Sequence, residues 1–121
     1  MRHRSGATSP TALLARWLLA SVFLVLGGSR LWIAVEGATV PDAALAFSVA
    51  ECVLGLVIAS GWRLSWTAST AAALLLVDAV VSHPFWTLDA AARDGQLLHF
   101  MKNAGLVGGF LLLAQSAPRR R

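Results

Sequence analysis

Read as a pattern of apolar and polar positions, the chain falls into four apolar runs with short polar breaks between them and polar ends. The runs cover 13–33, 43–61, 65–82 and 97–115. Each is close to the roughly 20 residues that carry a helix across about 30 Å of hydrocarbon. The breaks hold chain-turning residues. Gly37 and Pro41 lie in the first, and Gly61 to Arg63 make a tight second. The third, 83–96, is the longest, and its Pro84 disfavours helical geometry at His83. The pattern predicts an all-α polytopic membrane protein. Its four-helix transmembrane bundle (12–115) lies between a basic tail at 1–11 and another at 116–121.

Composition supports that reading. Hydrophobic residues make up 57% of the 121 and charged residues 13%, about half the charged share of an ordinary globular domain. A soluble domain this small has too much surface for ten bases and six acids to cover. Lipid is the simpler solvent.

The distribution of bases predicts orientation. Arg2 and Arg4 sit at one end, and Arg119, Arg120 and Arg121 at the other. Four crossings put both ends on one side, together with Arg63. The opposite loops hold Glu36, Asp42, Asp89, Arg93 and Asp94. The positive-inside rule makes the termini cytoplasmic, where the tails meet anionic lipid. No basic patch with interleaved aromatics is present, so nucleic acid is not an expected partner. The first run has a basic start, like a signal peptide. Arg16 interrupts it and "AVEGA" is a poor cleavage site, so it is expected to remain as a helix. Trp62, Trp66, Phe85 and Trp86 fall where aromatic rings favour the headgroup layer.

The candidate chemistry is a set of charges inside the runs. Arg16 and Arg30 bracket the first, Glu51 is in the second, Asp78 in the third and Lys102 in the fourth. A charge at the bilayer centre costs about 3 kcal/mol on insertion scales, so such residues are expected to face one another. Helical stripes agree. Arg16, Ala20, Phe23, Gly27 and Arg30 form one, and Ser48, Glu51, Cys52, Gly55 and Ala59 a second. Ala71, Leu75, Asp78 and Ser82 form a third, and Leu98, Lys102, Gly105 and Gly109 a fourth. Three carry glycine, and Gly105 to Gly109 matches the small-xxx-small packing pattern. The expectation is one polar cluster in the outer half of the bundle. It holds Glu51, Asp78, Lys102 and Asn103, capped by Arg30, His83 and His99, with Asp78 the natural partner of Lys102. Glu51, Asp78 and Lys102 sum to minus one, so either Arg30 balances the count or one carboxyl keeps a proton. Arg16 is an anchor at the inner interface.

Single-residue features add little. Cys52 is the only cysteine, which excludes an internal disulfide, and its place beside Glu51 suits a small packing residue. The spacing of His83, His99 and Glu51 specifies no metal site. No nucleotide-binding glycine pattern and no haem, flavin or iron–sulfur ligand set appears, so no cofactor is evident from the residues.

With these residues in view, the chain resembles the DoxX family of small four-helix membrane proteins over nearly its whole length. The likeness rests on "ARWLLASVFLVLGGSRLW", with Arg16, Phe23, Gly27 and Arg30, and on "AECVLGLVIASG", "SHPFW" and "HFMKNAGLVGGFLLLA". The last two are the most specific. Arg30 stands where relatives often carry lysine, which keeps the charge and changes the hydrogen-bond geometry. The resemblance implies an accessory subunit of a membrane redox system, with a quinone as ligand and a membrane-associated oxidoreductase or a second copy as partner. It supports architecture more firmly than chemistry. A second reading makes the chain a non-catalytic binding or assembly module whose buried charges only specify helix packing. A third, a proton-coupled carrier, ranks last because no inverted repeat is visible.

Overall fold

The computed structural model describes residues 8–118. Arg2, Arg4 and Arg119 to Arg121, on which the expected orientation leans, lie outside the described residues. The regular structure of the described residues is helical: α1 (Pro10–Val35), α2 (Asp42–Ser60), α3 (Leu64–Ser82), a short 3-10 turn (Phe85–Thr87) and α4 (Ala90–Ser116). All four α-helices are long and apolar enough to cross a membrane.

Local chemistry sets the helix ends. Ser9 caps α1 by accepting the Ala12 N–H at 3.1 Å, and Pro10 begins the helix where a missing N–H costs nothing. At the other end Gly37 adopts φ +97°. Its N–H reaches Ala34 O and the Ala38 N–H reaches Ile33 O, a Schellman closure that uses the left-handed residue glycine supplies. Asp89 caps α4 by accepting the Ala92 N–H. For this reason α4 starts at Ala90 and not near 97. The alanines of "DAAARDGQ" are strong helix formers, and Asp89 supplies the start signal the apolar pattern does not carry.

The chain divides between Ser60 and Gly61 into two compact units, each a helical hairpin. In the first, α1 packs on α2. Its buried positions are Ala20, Phe23 and Gly27 on α1, and Ser48, Glu51, Gly55 and Ile58 on α2. Two glycines make the approach close. A Cβ on Gly27 would lie 2.7 Å from Ser48 O, and one on Gly55 would lie 2.8 Å from the Leu24 side chain. The Trp17 indole donates to Ala59 O at 3.3 Å, tying the start of α1 to a carbonyl in the last turn of α2.

In the second hairpin α3 packs on α4, and the 3-10 turn also packs on α4. The buried residues of α3 are Ala68, Ala71, Ala72, Leu75 and Ala79. On α4, Phe110 and Leu113 are buried, and Asn103, Leu106 and Val107 are half-buried along the same stripe. Phe85 and Trp86 meet Phe100 edge-to-face, with ring centroids 5.2 and 6.1 Å away. These aromatics fasten the turn between the helices onto α4.

Candidate functional site

Of the polar residues expected to form one cluster, each hairpin assembles its own part. In the first, Arg30 reaches from α1 to α2. Its Nη1 lies 3.1 Å from Glu51 Oε2 and donates to Ser48 Oγ at 2.9 Å. Ser48 in turn donates to Ala44 O at 2.8 Å. The guanidinium also lies 6.0 Å from the Phe47 ring centroid. The Glu51 side chain is 7% exposed and that of Arg30 35%, so the carboxylate is the desolvated partner. Gly27 allows this pair, because its missing Cβ would lie 3.1 Å from Glu51 Cβ and 2.9 Å from Cys52 Sγ. Cys52 is therefore a packing neighbour. The arrangement is closed: a cation, a carboxylate and a hydroxyl satisfy one another across two helices.

The second arrangement has a different character. Asp78 on α3 accepts from Asn103 Nδ2 on α4 at 2.9 Å and from Ser82 Oγ at 2.7 Å. Both donors are neutral. Across from Oδ2, His83 Nε2 stands 4.0 Å away, and His83 Nδ1 is 2.7 Å from Gln96 Oε1. With that oxygen toward the ring, Nδ1 donates and Nε2 is left facing the carboxylate. A water or hydroxyl oxygen about 2.8 Å from each would bond both. The His83 ring stacks on His99 at 5.2 Å, and His99 is exposed. A membrane-level carboxylate, an imidazole and a second, exposed imidazole thus follow one another.

Lys102 does not join this arrangement. It is exposed, and no ion pair with it is found among the described residues. The expected Asp78–Lys102 pair is replaced by Asp78–Asn103. One residue along a helix is a turn of about 100°, and α4 faces α3 with the Asn103 stripe rather than the Lys102 stripe. Leu98 and Gly105 are exposed with Lys102, and Gly109 is half-buried. Two functional neighbours were not among the expected site residues. Gln96 falls in the third break of the apolar pattern, and it reaches His83 because α4 begins at Ala90. It precedes His99 by three residues and Asn103 by seven, the spacing of one face. Ser48 lay on the α2 stripe without a role, and it holds the Arg30 guanidinium.

Arg16, expected at the inner interface, is half-buried, and its Nε is buried with no hydrogen-bond partner. Among the described residues no group of three or more His, Cys, Asp and Glu side chains is placed to hold a metal ion.

Four apolar helices, with Glu51 and Asp78 each bonded to the neighbouring helix of its hairpin and large apolar side chains such as Val81, Leu112 and Val25 exposed, define a multi-pass membrane protein. Comparison with known proteins agrees. The chain is 30% identical to the inner membrane protein YphA of Escherichia coli strain K12 over 123 aligned residues, covering 93% of this chain and 88% of YphA. It belongs to the same family as YphA. No protein-family model matches the chain, and no solved structure does.

Proposed function

We propose that this chain is an accessory protein of a quinone-linked redox system in the cell membrane, and that its Asp78–His83–His99 arrangement handles a proton there. The observation behind this reading is the way Asp78 is held. Uncharged donors, Asn103 and Ser82, fix its geometry, and an imidazole stands 4.0 Å away. Ionisable groups at membrane depth mark ligand or proton paths, and perturbable acid–imidazole pairs gather at functional sites. The redox partner and the quinone come from the resemblance to DoxX proteins and add to this geometry. The positive-inside rule favours cytoplasmic termini, and the exposed Arg63 between α2 and α3 supports that orientation.

Native purification of the full chain from its membrane, followed by mass spectrometry of copurifying quinone and protein, tests the proposal. A quinone or an oxidoreductase subunit should come with the wild type and with Asp78→Glu. The quinone-dependent activity of that complex should fall in Asp78→Asn and His83→Gln, which remain in the membrane. Full activity in both variants would refute the assignment.

A second reading is favoured by the first hairpin. Arg30, Ser48 and Glu51 satisfy one another, as expected of charges that only fix helix register. On that reading the chain is an assembly module. A protein partner that stays bound through substitutions of Asp78 and His83, with no redox phenotype, would establish it.

A further inference from the structure

Lys102 raises a problem that the Asp78 arrangement does not solve. It is residue 13 of the 27 in α4, within a candidate span, yet it is exposed and no acid pairs with it among the described residues. A lysine held in hydrocarbon is costly. The Asn103–Asp78 contact sets its depth. Asp78 is four residues, about 6 Å, from the end of α3 at Ser82. Helical side chains lean toward the N-terminus, and the N-terminus of α4 lies at the α3–α4 turn. The lysine stem therefore carries its ammonium toward that membrane face, about one helical turn away. His99, one turn nearer that face, is also exposed. Deeper on α4 two glycines, about 60° and 120° around the helix from Lys102, are bare. A Cβ on Gly105 or Gly108 would meet nothing within 4 Å. Exposed Leu98, Met101 and Leu112 flank them.

We propose that this side of α4 is a binding site for one phospholipid of the leaflet bordering the α3–α4 turn. The Lys102 ammonium holds the phosphodiester, and the first methylenes of an acyl chain lie over Gly105 and Gly108. Charge decides the occupant: a cation at this depth with no acid of its own calls for an anion, and in the bilayer that anion is a lipid phosphate. The bare glycines add the room a chain needs beside the headgroup. This inference does not rest on the proton chemistry at Asp78, which reaches α4 through Asn103, about 100° around the helix from Lys102.

The test is native mass spectrometry of the full chain in maltoside micelles, titrated with palmitoyl-oleoyl phosphatidylglycerol. Wild type should keep one lipid after collisional heating has stripped the others, and Lys102→Arg should keep it too. Lys102→Met should bind that lipid about tenfold more weakly. Gly105→Leu, which fills the bare channel and leaves the charge, should also weaken it. Circular dichroism confirms helicity, and if Lys102→Met does not fold, Lys102→Arg and Gly105→Leu still decide the matter. Equal retention by wild type and Gly105→Leu overturns the site. So does equal competition from dioleoylglycerol, which lacks the phosphate. Dissociation of a second copy by Lys102→Met, with lipid retention unchanged, also overturns it.

Discussion

The two hairpins place a carboxylate at membrane depth in opposite ways. Glu51 is 7% exposed at its side chain and sits against a guanidinium. Asp78 is 35% exposed at its side chain and sits against an amide and a hydroxyl, with an imidazole at 4.0 Å. The first carboxylate faces a cation across the helix pair. The second meets only uncharged donors. Packing follows the same division, since the α1–α2 contact closes on Gly27 with no room for a methyl group, whereas Gly105 and Gly108 on α4 stand open. Carboxylates at membrane depth thus meet two kinds of partner in one chain: a guanidinium in the first hairpin, and an amide, a hydroxyl and a nearby imidazole in the second.

Substitutions can break this contrast, and the largest effect is expected at the closed pair. Glu51→Leu strands Arg30 and should cost about 3–5 kcal/mol, seen as a lower unfolding midpoint in detergent. Adding Arg30→Met should restore much of the loss, and strict additivity of the two would show that the pair is not a unit. Next comes Gly27→Ala, whose Cβ would lie 2.7 Å from a backbone oxygen. Overpacking of this kind costs about 1–3 kcal/mol, measured in the same assay. Asp78→Asn should matter less for stability, about 0.6 and at most about 2 kcal/mol, because it strands no opposite charge and the Ser82 hydroxyl can turn to accept from the new amide. A loss as large as that of Glu51→Leu would make Asp78 a structural residue after all. The smallest effect is expected for Gly105→Ala, within about 0.5 kcal/mol, because nothing stands near the added methyl group.

The first hairpin was largely legible in the sequence. The stripes through Ala20, Phe23 and Gly27 and through Ser48, Glu51 and Gly55 are its buried positions, because charge, small size and helical spacing all select one face. The fourth helix was not. Lys102 and Asn103 are adjacent and about 100° apart, and a pattern that weights charge above amide turns the helix the wrong way. A lysine on the outside is tolerable if its stem reaches the headgroups, and that depends on depth, which the apolar run alone left seven residues uncertain at its start. The missing signal was Asp89, a cap three residues before the Ala92 N–H it accepts.

The early start of α4 has a mechanical consequence. Gln96, His99 and Asn103 ride on a single rigid rod whose first turns run on past the last residue of α3. No one of them can shift without the other two. A twist of that rod would move the three contacts to His83 and Asp78 together, while Asp78 and His83 keep the spacing that α3 and its C-cap give them.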